Sequence, residues 1–233
     1  MKDLNENNKK YWQKYKPGQI PTVPKEPPEE LLINTKTILD VGTGDGVLAE
    51  KLAKKGFEVY GIDIAENIIK ENKKRDIKVY YSIQNITRKT NFPNAFFDLI
   101  IFRFTLTNIH KDSWDKLGEE IFRLLKNGGI VWLLEPLISE SYNKRYELAS
   151  DFVKDKHCVY VFFNKDLAEK INTKEELQKA IKENKVSRVV KHYEVKELKY
   201  IFRKLKLTNN RVIEITSPSG YKIKTFEGVF RQI

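Results

Sequence analysis

Ile38-Leu39-Asp40-Val41-Gly42-Thr43-Gly44-Asp45-Gly46 is the stretch that decides the architecture. Thr37–Val41 reads as a buried strand, and it runs directly into three glycines at alternate positions. Glycine is required where the backbone takes a positive φ or where another molecule lies against it. Val47, Leu48 and Leu52 follow at helical spacing, so the turn opens a helix over Val47–Lys55, and the first N–H groups of a helix have no partner within it. A second strand, Phe57–Ile62, is closed by Asp63, 17 residues after Gly46. A carboxylate at that place accepts hydrogen bonds from both hydroxyls of a ribose. Each such charge-assisted bond is worth about 1.5–3 kcal/mol. Strand, glycine turn, helix and acid-ended strand together predict a seat for an adenosine-bearing ligand.

The alternation continues outward from that unit. Ala65–Lys74 reads as a helix, Ile77–Tyr81 and Phe96–Phe102 as strands, and Asp112–Lys126 as a helix capped by Asp112 and stopped by Asn127-Gly128-Gly129. Ile130–Leu134 is a fifth strand. Thr173 and Glu176 form a capping-box pattern that opens a helix toward Lys182. Val195, Leu198, Ile201, Phe202 and Leu205 recur at helical spacing; Arg211–Thr216, the turn at Ser217–Gly220 and Lys222–Phe230 read as a hairpin. The fold class is therefore α/β, a doubly wound, mostly parallel seven-stranded sheet with helices on both faces and an antiparallel C-terminal hairpin.

Two ligand classes compete for the glycine turn. A nicotinamide dinucleotide calls for G-x-G-x-x-G, and Val47 stands where the third glycine of that pattern falls. The G-x-G-x-G spacing preceded by Asp40 instead resembles the first motif of the class I S-adenosylmethionine-dependent methyltransferases, and the chain is similar to their small-molecule, quinone-biosynthesis type. Asn85-Ile86 resembles the segment that the family places beside adenine, with Asn where Asp is common. Asn91–Ile100 resembles the lead into the fourth strand, and Leu124–Gly129 the turn before the fifth.

That resemblance, over residues 37–136, implies S-adenosylmethionine as cofactor. It implies that Gly42, Thr43, Gly44 and Gly46 wrap the methionine end, which Asp40 helps orient. Asp63 and Ile64 would hold the ribose side, and Asn85 and Ile86 the adenine. Arg103 and Phe104 lie at the carboxyl end of the fourth strand, where open α/β sheets bind ligands, and join the cofactor set. Tyr11, in the aromatic stretch Tyr11-Trp12-Gln13-Lys14-Tyr15, is a candidate lid residue. His110 and Glu135 are weak candidates for a base, each with a structural alternative. Tyr142 and Tyr146, one helical turn apart, are candidates for a substrate wall. Asp98 is a candidate brace within the sheet.

Residues 1–30, with five of the chain's eight prolines, read as an N-terminal arm or lid, and residues 31–233 as the methyltransferase domain. The fifth and sixth strands stand further apart than a crossover helix needs, so residues 137–195, with the apolar run Cys158–Phe163, read as a substrate-cap insertion. One cysteine and three scattered histidines predict neither a disulfide framework nor a metal site. No apolar run suffices for a membrane span or a signal peptide, which predicts a cytoplasmic protein. The net charge is +11, of which residues 137–233 carry +8. A small-molecule substrate is the leading reading. Nucleic acid is the alternative that the basic part raises, although Asp98-Leu99-Ile100-Ile101 lacks the Asn/Asp-Pro-Pro-Tyr motif of exocyclic-nitrogen enzymes. A binding module without catalysis is the third.

Overall fold

The computed structural model describes residues 11–13, 25–150, 152–153, 156–162, 165–216 and 222–233. Strands β1 (Thr37–Val41), β2 (Glu58–Asp63), β3 (Val79–Ile83), β4 (Phe97–Arg103) and β5 (Leu125–Pro136) are joined by helices α1 (Val47–Lys54), α2 (Glu66–Asn72) and, before β5, α3 (Trp114–Leu124). An inserted unit follows: α4 (Asn143–Ala149), β6 (Cys158–Phe162), α5 (Lys165–Lys170), α6 (Lys174–Lys182) and β7 (Val186–Lys191). Helix α7 (Val195–Ile201) and strands β8 (Lys206–Thr216) and β9 (Lys222–Arg231) close the fold.

The main sheet has seven strands in the order β3-β2-β1-β4-β5-β9-β8. β1 to β5 run parallel, and β9 lies antiparallel between β5 and β8, so β8 points the same way as the first five. The central strands are buried on both faces, with side chains alternating between two cores. Leu39, Ile100, Phe102, Val131 and Leu133 face α3 and α7; Ile38, Leu99, Ile101, Trp132 and Leu134 face α1, with Ile69 of α2 and Leu31. Helix α3 approaches α7 so closely at Gly118 that a Cβ there would stand 2.4 Å from the Ile201 carbonyl oxygen.

Several sequence expectations shift. The helix expected to end at Asn127-Gly128-Gly129 ends at Leu124, and β5 starts at Leu125 and runs through those glycines, Gly128 at φ 76°. Pairing of Leu125 with Phe97, followed by a bulge, overrides the local stop signal. Asp112 lies in a short 3-10 turn, Lys111–Ser113, that precedes α3. The capping box of Thr173 and Glu176 forms in both directions. Ser217–Gly220 and the tail of the apolar run at Phe163 lie outside the described residues.

The insertion is not a loop. β6 and β7 pair antiparallel as a separate two-stranded sheet. It is docked on the carboxyl ends of β4 and β5: Thr107 Oγ1 donates to the Lys191 carbonyl at 2.7 Å, Tyr193 Oη to the Leu106 carbonyl at 2.7 Å, and Tyr193 N to the Pro136 carbonyl at 2.9 Å. No helix among the described residues is long and apolar enough to cross a membrane.

Candidate functional site

The three turn glycines all take left-handed backbone, with φ of 67° at Gly42, 51° at Gly44 and 73° at Gly46. An L side chain pays a steric penalty in that region. Space forbids one as well: a Cβ on Gly42 would lie 2.6 Å from Thr105, and one on Gly46 would lie 2.1 Å from the Tyr81 hydroxyl. The turn is tied to the end of β2, because the amides of Gly42 and Thr43 both donate to the Ile62 carbonyl, at 2.8 and 3.0 Å.

Asp63 lies against this turn. Its Oδ2 accepts from Gly44 N at 3.2 Å and its Oδ1 from Ala65 N at 2.9 Å. A carboxylate has about four acceptor positions, so capacity remains for further donors. Burial pushes the Asp63 carboxyl above the usual carboxylate range, against the pull of the Ala65, Gly44 and Ile64 amides, and the nearby Asp40 adds to the rise. Ile64 is half-buried beside it. Asp40 is buried beneath the turn, where its Oδ2 accepts from Thr43 Oγ1 at 2.8 Å. Burial raises its pKa too, and Arg103 opposes the rise. Arg103 closes β4 with its guanidinium near Asp40 and Glu26 and donates from Nη1 to the Lys25 carbonyl at 3.4 Å; burial lowers its pKa.

The chain leaves β4 through Phe104, a non-glycine residue at φ 54°. Such a conformation is strained for a bulky side chain. Glu135 holds the loop that follows. It is fully buried at the end of β5, with Oε1 accepting from Thr105 N at 2.8 Å and Leu106 N at 2.9 Å and Oε2 from Thr107 N at 3.3 Å. Burial pushes its carboxyl up to about 8 against those amides. Its oxygens thus serve the backbone of the ligand-end loop, which replaces the expectation of a free base. His110 Nδ1 accepts from Asp112 N at 3.4 Å, capping the turn before α3, and lies 3.0 Å from Asp112 Oδ2.

Asn85 departs from expectation. The side-chain carbonyl expected to meet adenine instead accepts from Thr87 N at 3.0 Å and Thr87 Oγ1 at 2.8 Å, an Asx turn. Ile86 is buried in the core with Val41 and Ile62. Asp98 is a brace at the opposite end of the sheet. Burial would raise its pKa, but Lys126 Nζ at 2.8 Å and the amides of Thr37 and Lys36 outweigh that and hold it at about 2.

Tyr11 and Trp12 come to the carboxyl end of β4, beside the loop that follows Phe104. Their rings meet edge to face, and the Arg188 guanidinium of β7 lies 4.9 Å from both centroids. Trp12 Nε1 donates to Asn108 Oδ1 at 3.4 Å, and Asn108 Nδ2 donates to the Phe104 carbonyl at 3.3 Å. In the insertion, Tyr146 Oη accepts from Ser139 N at 3.3 Å and shares a hydrogen bond of 2.7 Å with His192 Nδ1. Burial drives the His192 pKa down to about 4, with Lys191, His157 and Arg145 adding to the fall. Tyr142 packs edge-on against His192 at 4.8 Å.

Sequence reasoning missed the residues behind the glycine turn. Asn72 Nδ2 donates to the Gly44 carbonyl at 2.7 Å; Arg75 Nη1 donates to the Asp45 carbonyl and to Glu50 Oε1, both at 2.5 Å, and Arg75 Nη2 to Asn72 Oδ1 at 3.0 Å. The available signal was an asparagine at helical spacing from Ile68 and Ile69, on the apolar stripe of α2. Among the described residues no group of three or more His, Cys, Asp or Glu side chains is placed to hold a metal.

Parallel α/β sheet, carboxyl-end glycine turn and strand-end acid define a nucleotide-type ligand site. A family model described as a methyltransferase domain matches residues 13–172, and the chain belongs to that family. A ubiquinone biosynthesis O-methyltransferase from Coxiella burnetii is 30% identical over 105 residues, 43% of this chain and 44% of that protein. The chain spans under half the length of the curated relatives it matches. An S-adenosylmethionine-dependent methyltransferase structure from Methanosarcina mazei superposes with a TM-score of 0.74 at 22% identity, over 88% of this chain and 96% of that one. A 1,6-didemethyltoxoflavin-N1-methyltransferase from Burkholderia thailandensis, solved with 1,6-didemethyltoxoflavin and S-adenosylhomocysteine, gives a TM-score of 0.57 at 13% identity, over 88% and 74%. These two likenesses show the fold.

Proposed function

We propose that the chain is an S-adenosylmethionine-dependent methyltransferase that acts on an oxygen, nitrogen or carbon nucleophile of a small molecule. The observation that carries this reading is the Asp63 carboxylate held 3.2 Å from the Gly44 amide, in a turn whose Gly42 and Gly46 have no room for a side chain. The residues present fit such a cofactor. Asp63 keeps acceptor capacity for ribose hydroxyls, Gly42, Gly44 and Gly46 leave their positions in the turn free of side chains with Thr43 tied back to Asp40, and the opposite charges of Asp40 and Arg103 suit a zwitterionic amino-acid end. Asn85 can contribute its amide nitrogen, since its oxygen is occupied.

When bound, S-adenosylmethionine supplies an activated methyl group on a sulfonium. The chain's contribution is then mainly orientation, which can supply roughly 7–11 kcal/mol. Glu135 fixes the loop Thr105–Thr107 on one side, and Tyr11 and Trp12 close against Asn108 and Arg188 on the other, excluding water. Tyr142 and Tyr146 face the acceptor from the insertion, which acts as the substrate cap.

Charge placement favours a small molecule over nucleic acid. Residues 137–195 carry only +2, whereas residues 196–233, which form α7 and the two last strands, carry +6. The basic excess therefore avoids the insertion docked at the site. Calorimetry with S-adenosylmethionine, S-adenosylhomocysteine and NAD tests the reading: micromolar binding of the first two and none of NAD is expected, and the reverse order refutes it. Cofactor binding without turnover across a broad acceptor panel would point to a binding module instead.

A further inference from the structure

We propose that Asn72, Arg75 and Glu50 form a positioning clamp that sets the affinity for the amino-acid end of the cofactor from the far side of the glycine turn. This rests on the cofactor reading above. The turn contains three left-handed glycines, the residues with most backbone freedom to lose. Its amide side is pinned by Asp63 through Gly44 N, and its carbonyl side is pinned independently by α2 and the residues just after it. Arg75 reaches three groups at once. One nitrogen spans the Asp45 carbonyl and the Glu50 carboxylate of α1; the other holds Asn72 Oδ1. That last bond fixes which way the buried Asn72 amide faces and so aims Nδ2 at Gly44.

The clamp acts on the turn rather than on the helices. α1 and α2 are already held by Leu48, Leu52 and Ile69 in the core. Removing Arg75 would free the Asp45 carbonyl and release the Asn72 amide that holds the Gly44 carbonyl, and binding would then have to order that backbone at a cost in affinity. A lysine at 75 has one donor group in place of a planar fork and cannot span all three partners.

The test is calorimetry on the full chain with two ligands, S-adenosylhomocysteine and 5′-methylthioadenosine, which share the nucleoside and the thioether but differ in the amino-acid end. For Arg75→Ala we expect about tenfold weaker S-adenosylhomocysteine binding and less than about threefold loss for 5′-methylthioadenosine. Arg75→Lys should fall between wild type and Arg75→Ala. Lys74→Ala, which removes an exposed pair with Glu71, should leave both affinities unchanged. Should Arg75→Ala fail to fold, Glu50→Gln, which keeps the side-chain shape, should show the same ligand bias at smaller size. Equal losses for both ligands, or an Arg75 effect no larger than that of Lys74→Ala, would overturn the clamp. Wild-type protein that binds neither ligand refutes the cofactor reading itself, and the clamp falls with it.

Discussion

Replacing Asp63 with asparagine separates the two things its carboxylate does. The side chain keeps its size, and one oxygen can still accept from Ala65 N, now 2.9 Å away. The other position becomes an NH2 that faces the Gly44 amide, donor against donor, across 3.2 Å. Leaving that amide without an acceptor costs about 1–3 kcal/mol of stability. In a chain of this size each kcal/mol lowers Tm by about 2–4 °C. For the ligand, two ribose hydroxyls would exchange charge-assisted bonds for neutral ones, a loss of about 1–1.5 kcal/mol each. The expected result is a roughly 30- to 140-fold rise in the Kd for S-adenosylhomocysteine, read by calorimetry. A melting curve without ligand reads the stability cost separately. The pH dependence adds a second check. Burial lifts the Asp63 pKa, so wild-type affinity should fall as pH drops through that raised value, and the asparagine variant should lose this dependence. A folded Asp63→Asn protein that binds within threefold of wild type would refute the ribose seat.

Three further outcomes follow from the geometry. Gly46→Ala places a Cβ 2.1 Å from the Tyr81 hydroxyl at φ 73°, so denaturant unfolding should show a loss above about 2 kcal/mol; a loss under about 0.5 kcal/mol would contradict the close approach. Glu135→Gln removes a group whose folded pKa is raised to about 8 from an ordinary 4.5, and a raised pKa contributes stability that is complete at low pH and lost as pH climbs. The stability advantage of wild type over this variant should therefore shrink between about pH 4.5 and 8 and then level off; an advantage that grows with pH would mean the charged form is the favoured one. Trp12→Ala removes one ring from under Arg188 and the bond to Asn108, and stopped-flow dissociation of S-adenosylhomocysteine should quicken roughly 2- to 30-fold. An unchanged off-rate would leave the arm without a part in closure.

The first half of the sheet was legible because each strand there is a continuous apolar run with its punctuation next to it. β1 matches its expected range, Thr37–Val41, and α1 ends one residue early. The approach of Asp63 to Gly44 was legible for the same reason, since one strand, one turn and one helix fix it. Legibility failed where a distant partner decides. β8 begins at Lys206, in a polar Lys-Leu-Thr-Asn-Asn stretch with no strand pattern, because β9 supplies the ladder. Val186–Lys191 is a strand because Cys158–Phe162 lies beside it. In the site, Asn72 and Arg75 reach the turn across 28 and 30 residues, so no local pattern announces them. Nor did any pattern show that a threonine two residues on engages the Asn85 oxygen through both its amide and its hydroxyl.

The place of β9 between β5 and β8 has a consequence for biosynthesis. β9 is synthesised after β8 and yet lies interior to it. Until residues 222–231 emerge, β5 presents an open ladder and β8 has no neighbour to join, so the nascent chain carries unsatisfied edges of the kind that promote aggregation. Breaking the chain before residue 222 would not remove a strand at the sheet's margin; it would cut the sheet in two and set its outermost strand adrift.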